Sequence, residues 1–126
     1  MCERTFPSTT GSVPEARRYA ARNLPECGEA LKNAIVLMVS ELVTNSVLYG
    51  GDDFTMTIQS ADGVLHVAVT DPGLGIPVLH VPATNEPAGR GLRIVASLAD
   101  DWGVRYPERG PGKTVWFTVR TPVPSD

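Results

Sequence analysis

In Glu41-Leu42-Val43-Thr44-Asn45 a carboxylate and a carboxamide stand four residues apart, inside the longest helical pattern of the chain, about Glu26 to Tyr49. At a helical advance of about 100° per residue, Leu31, Ala34, Ile35, Met38 and Leu42 form one apolar stripe. Leu37 and Leu48 lie a little further round, and Glu41 and Asn45 fall between the two groups. Asn33, Ser40 and Thr44 mark the face expected to meet water. Residues at i and i+4 are neighbours on a helix surface. A charge placed on the apolar side must be paired, neutralised or set against a ligand. One reading is a Glu–Asn pair bonded into the core or left at the margin of the stripe. The other is a site. There the amide oxygen of Asn45 suits Mg²⁺, which keeps waters and takes phosphate oxygens. Glu41, one turn earlier, suits a base that accepts a proton from a hydroxyl or water.

Two glycine-bearing stretches add to this pair. Asp71-Pro72-Gly73-Leu74-Gly75-Ile76 leaves a strand pattern, and Gly89-Arg90-Gly91-Leu92 opens a helical one. Free amides at a helix start point at anions, and glycine lets the backbone approach them. Asp71, at a strand end, can accept from an amino group on a base. Each stretch alone also reads as an ordinary turn or loop end. Neither is a dinucleotide fingerprint, and the chain has no Gly-Lys-Ser/Thr phosphate loop.

The elements that must position these residues follow in order. Residues 2–10 suit a short edge strand and a loop. Ser12-Val13-Pro14-Glu15 is a helix start with Ser12 as cap, and the first helix runs to about Leu24. Its Arg17, Arg18 and Arg22 are expected on a solvated face. The second helix stops at Gly50-Gly51. Phe54–Ser60 alternates as a strand, Asp62-Gly63 makes a hairpin turn, and Val64–Thr70 is apolar on both faces, as a central strand is. His66 is expected to be a strand residue rather than a metal ligand. Residues 76–88 have no periodicity and read as a lid. A third helix, Leu92–Asp100, turns Leu92, Val95, Ala96 and Ala99 inward. Strands Trp102–Tyr106 and Thr114–Arg120 close the chain before a frayed tail. The expectation is one α+β domain over 1–126, core 12–120, with a mainly antiparallel sheet covered on one face by helices.

Composition narrows the classes. A chain of 126 residues with 42% hydrophobic and 20% charged residues suits one globular domain. Net charge is −3, and no basic tract or nucleic-acid-type aromatic motif occurs, so no nucleic-acid partner is expected. The N-terminus reads as no signal peptide, and no apolar run reads as long enough to span a membrane. Cys2 and Cys27, with no metal-site spacing, are expected as reduced thiols in a cytoplasmic protein.

Taken together, Glu41-x-x-x-Asn45, Asp71-x-Gly73-x-Gly75, Gly89-x-Gly91-Leu92 and the closing Lys113-Thr114-Val115-Trp116-Phe117 resemble the N, G1 and G2 boxes and the last strand of the GHKL ATPase superfamily. Glu41-Leu42-Val43-Thr44-Asn45 and the small size point to its anti-sigma-factor serine/threonine kinase branch. The resemblance spans roughly residues 12–120 and implies a Bergerat two-layer sandwich. It implies Asn45 on Mg²⁺, Glu41 as general base, and Asp71 on the adenine amino group with Thr114 helping through water. Gly73, Gly75 and Ile76 would pass close to the nucleotide. Gly89, Arg90, Gly91 and Leu92 would set amides near the phosphates of ATP. Members of that branch phosphorylate a serine of an anti-sigma-factor antagonist, bind a sigma factor, and often form homodimers. The alternative is a non-catalytic ATP/ADP-binding interaction module.

Overall fold

Side-chain alternation decides the sheet. The computed structural model describes residues 1–49, 52–72 and 87–122. Strand β2 (Phe54–Ala61) buries Phe54, Met56 and Ile58, and strand β3 (Val64–Asp71) buries Leu65, Val67, Val69 and Asp71 on the same face. Asp62 and Gly63 join them, both at positive φ (54° and 75°), the conformation a tight two-residue hairpin needs. Strand β5 (Lys113–Arg120) pairs with β3 and brings Val115, Phe117 and Val119 to that face. Strands β1 (Cys2–Phe6) and β4 (Asp101–Arg105) form the edges. The order is β1-β2-β3-β5-β4 and every pairing is antiparallel. β3 is thus central, as its two apolar faces require. Among the described residues each neighbouring pair of strands runs in opposite directions, in keeping with the expected mainly antiparallel sheet.

The helices α1 (Ser12–Asn23), α2 (Glu29–Tyr49) and α3 (Pro87–Leu98) supply the other layer. Ile35, Met38, Val39, Leu42 and Val43 of α2 join Ala16, Ala20, Val95 and the inward face of the sheet in one core. Phe6 stacks on Phe54 at 5.4 Å and meets Tyr19 edge-on at 5.9 Å, which seals the β1 end. The architecture is therefore α+β, a sheet with helices, as the order of patterns implied.

Four local expectations need correction. Ser12 does not cap α1: Gly11 holds that position without a side-chain bond, and the Ser12 hydroxyl donates to the Pro7 carbonyl at 2.6 Å. α2 begins at Glu29, not Glu26, because Gly28 adopts φ +82° and breaks the helix before it. Ser40 is buried rather than wet, since α2 lies between α1, α3 and the sheet and its buried arc is wider than one stripe. Ala96 is exposed, and Val95 is the residue of that turn that reaches the core. The expectation about membranes also changes. Glu29–Leu48 is long and apolar enough to cross one, with a mean hydropathy of 1.3, yet in this fold it is the central core helix.

Candidate functional site

The site is built where the C-terminal half of α2 crosses the end of β3. Position 46 follows Leu42 by four and Val43 by three, so Ser46 continues the core stripe and is fully buried. Its hydroxyl donates to Asp71 Oδ2 at 3.1 Å and fastens the helix to the strand. Asp71 is itself buried, 1% exposed, because it sits in the row of Leu65, Val67 and Val69. Its register partner on β5 is Lys113, in the row of Val115, Phe117 and Val119. The Lys113 ammonium donates to Asp71 Oδ2 at 3.0 Å and is 7% exposed. One carboxylate oxygen is thereby satisfied twice.

The other is not satisfied. Asp71 Oδ1 and Asn45 Oδ1 are both buried and accept no hydrogen bond among the described residues. Ser40 Oγ is in the same condition. A buried polar atom without a partner costs about 1–3 kcal/mol, and such atoms call for a ligand, an ion or water. Of these, the amide oxygen on α2 and the carboxylate oxygen at the end of β3 each call for a donor or a cation. Glu41 lies one turn before Asn45 and is half-buried. Burial lifts its carboxyl above its ordinary value, the direction that suits a proton acceptor.

The predicted residues do not all converge. Asp71 meets α2 at Ser46, the residue after Asn45, and Glu41 lies one turn before Asn45 on the same helix. Thr114 pairs with Thr70 across the strands, their hydroxyls 2.8 Å apart, on the opposite face of the sheet from Asp71. The side-chain period of two puts Lys113, not Thr114, beside the carboxylate. Gly89, Arg90, Gly91 and Leu92 lie in the opening turns of α3, which starts earlier than expected, at Pro87. Gly73, Gly75, Ile76, most of the expected lid, the Gly50-Gly51 stop and the end of the tail fall outside the described residues. Ser46 and Lys113 are functional candidates the sequence reading passed over.

One glycine holds this arrangement from behind. Gly112 has φ +118°, and a Cβ there would lie 3.0 Å from the Asp71 carbonyl oxygen and 3.4 Å from that of Pro72. Gly112→Ala is expected to cost about 1–3 kcal/mol through backbone strain and to displace Asp71. Urea unfolding and nucleotide titration of the same variant should show both losses together.

On the far face of the sheet, His66 stacks on Trp116 at 5.7 Å and Arg105 lies 6.0 Å from that ring. Burial, and then the Arg105 charge, hold His66 below its ordinary value. It is a packed strand residue, as its pattern indicated. Among the described residues no three His, Cys, Asp or Glu side chains cluster as a metal site. Mg²⁺ fits here in another way. Asn45 Oδ1 is a single hard oxygen without a partner among the described residues, and Mg²⁺ held there would fill its remaining positions with water and phosphate oxygens.

The structure is an antiparallel sheet under helices, with a buried carboxylate at a strand end fastened through Ser46 to the helix that carries Glu41 and Asn45. The sequence profile of the histidine kinase-like ATPase domain matches residues 6–119, and the chain belongs to that family. The search of curated proteins found no match.

Proposed function

We propose that this domain is a protein serine/threonine kinase of the anti-sigma-factor type, transferring the γ-phosphate of ATP to a serine of an antagonist protein. The observation that carries the reading is the Glu41–Asn45 pair: a half-buried carboxylate with a raised proton affinity, one helical turn from a buried amide oxygen that has no partner among the described residues. Asp71 Oδ1 would accept from the amino group of adenine. Asn45 would hold Mg²⁺, whose charge offsets that of the phosphates. The serine oxygen forms its bond to the γ-phosphorus as the bond from that phosphorus to the β–γ bridging oxygen breaks. Glu41 takes the serine proton, and ADP leaves. Such in-line transfer is mostly positioning and charge stabilisation, which a domain of this size can provide.

The role in partner switching, with an antagonist and a sigma factor as partners, rests on the Glu-x-x-x-Asn box. A cytoplasmic setting fits an ATP user with two free thiols, Cys2 and Cys27. A homodimer is the assembly proposed.

The test is calorimetric titration with ATP and ADP, with and without Mg²⁺, on wild type and Asn45→Ala, followed by transfer of labelled γ-phosphate to candidate antagonists. Asn45→Ala should weaken Mg–ATP binding by about 10- to 100-fold. Binding that ignores both magnesium and the substitution would move the metal off Asn45. Nucleotide binding with no labelling of any antagonist would make the domain a non-catalytic ATP/ADP module.

A further inference from the structure

We infer that Lys113 is a second reading group for the nucleobase, a direct donor to the ring nitrogen that flanks the adenine amino group. The inference rests on the proposed nucleotide site and adds to it a residue and a specificity.

Lys113 has an unusual place. It is a cation, 7% exposed, in a row otherwise made of Val115, Phe117 and Val119. A lysine can usually keep its ammonium in water while burying its stem, but here the head is held inside. Its recorded acceptor is Asp71 Oδ2 at 3.0 Å, and among the described residues it has no other. An ammonium carries three donors. Two remain to be used, next to a carboxylate oxygen that also lacks a partner.

The two groups are complementary in kind. Asp71 Oδ1 accepts and cannot donate. Lys113 Nζ donates and cannot accept. The two atoms sit at opposite ends of one short ion pair. A ligand that satisfies both must present a donor and an acceptor side by side. The adenine amino group with its neighbouring ring nitrogen is such an edge. A hydroxyl or water in place of the lysine could turn to either sense and would enforce nothing, whereas the lysine fixes the sense of its bond as Asp71 fixes the sense of the other. Ser46 supports the same geometry by taking a lone pair of Oδ2, which leaves Oδ1 as the free acceptor.

The experiment compares ATP with its 1-deaza and 7-deaza analogues and with purine riboside triphosphate, which lacks the amino group. Each is titrated into wild type, Lys113→Met and Lys113→Arg. In wild type, one of the two deaza analogues should bind about 10- to 100-fold more weakly than ATP, as expected for a lost bond to a charged donor. Lys113→Met should bind ATP and that analogue within about twofold of each other, and Lys113→Arg should restore part of the difference. Loss of the amino group should still weaken binding to Lys113→Met, because that contact belongs to Asp71. Wild type that binds ATP but treats both deaza analogues as ATP would overturn the assignment of Lys113 and leave the nucleotide site standing. So would a Lys113→Met variant that keeps the full discrimination. Wild type that binds no nucleotide would overturn both readings. The wild-type comparison needs no variant, so it decides the question even if Lys113→Met does not fold.

Discussion

Asp71→Ala is expected to lose about 3–5 kcal/mol of stability, the usual cost of removing one partner from a buried ion pair, and to abolish nucleotide binding. The reason is the company Asp71 keeps. Its side chain accepts from Ser46 Oγ at 3.1 Å and from Lys113 Nζ at 3.0 Å, and both partners are buried. Without the carboxylate, Lys113 becomes an uncompensated cation beside Val69 and Val115, and the Ser46 hydroxyl loses its acceptor. Urea unfolding should show the midpoint fall with little change in slope. Asp71→Leu/Lys113→Met separates structure from function. A buried pair replaced by apolar residues of similar size is often neutral in stability. The double variant should therefore regain most of the lost stability and still bind no nucleotide. A double variant as unstable as Asp71→Ala would mean that the pair is held by more than charge, and nucleotide binding by it would remove Asp71 from the site.

This ion pair also shows what the sequence made legible. The sheet was readable because Phe54, Met56 and Ile58 alternate with polar residues and Asp62-Gly63 carries a defined turn. Glu41 and Asn45 were readable because two polar groups interrupt an apolar stripe at helical spacing. Lys113 was readable in principle, since Val115, Phe117 and Val119 mark one face and a period of two extends that face to 113. The strand pattern was read only from Thr114 onward, and it is the ion pair with Asp71 that shows Lys113 to be buried. Thr114 lies on the other face because strand alternation puts adjacent residues on opposite faces, and resemblance alone does not choose the face. Ser46 gave its signal at a core position of α2, where a hydroxyl needs an acceptor. The acceptor lies 25 residues away, a contact that local pattern does not carry. The wider burial of α2, Ser40 included, depends on α3 packing against it, which is likewise a long-range fact.

Glu41→Gln should lower phosphoryl transfer by about 10²- to 10⁴-fold, the contribution typical of a positioned general base, while leaving Mg–ATP affinity close to that of wild type. Glutamine keeps the size and the helix propensity but cannot take the serine proton. The same substitution should raise stability, and the pH dependence distinguishes this from a simple packing change. Burial lifts the Glu41 carboxyl above its ordinary value in the folded state. Below the value in the unfolded chain, both states hold the proton and the residue contributes nothing. As pH rises through that value and then through the raised folded one, the unfolded state gains from ionisation first. Folding is therefore penalised, fully so above the folded value. Glutamine removes the penalty. The melting temperature of Glu41→Gln relative to wild type should be nearly unchanged around pH 4 and higher by pH 8, near and well above the ordinary glutamate value. The gain should be small because Glu41 is partly in contact with water. Stability that rises while transfer falls is the expected signature of a residue kept against folding for its chemistry. A variant that transfers phosphate at the wild-type rate would mean that some other group accepts the proton. A melting difference that is flat with pH would place the effect in packing, with no part for the Glu41 charge.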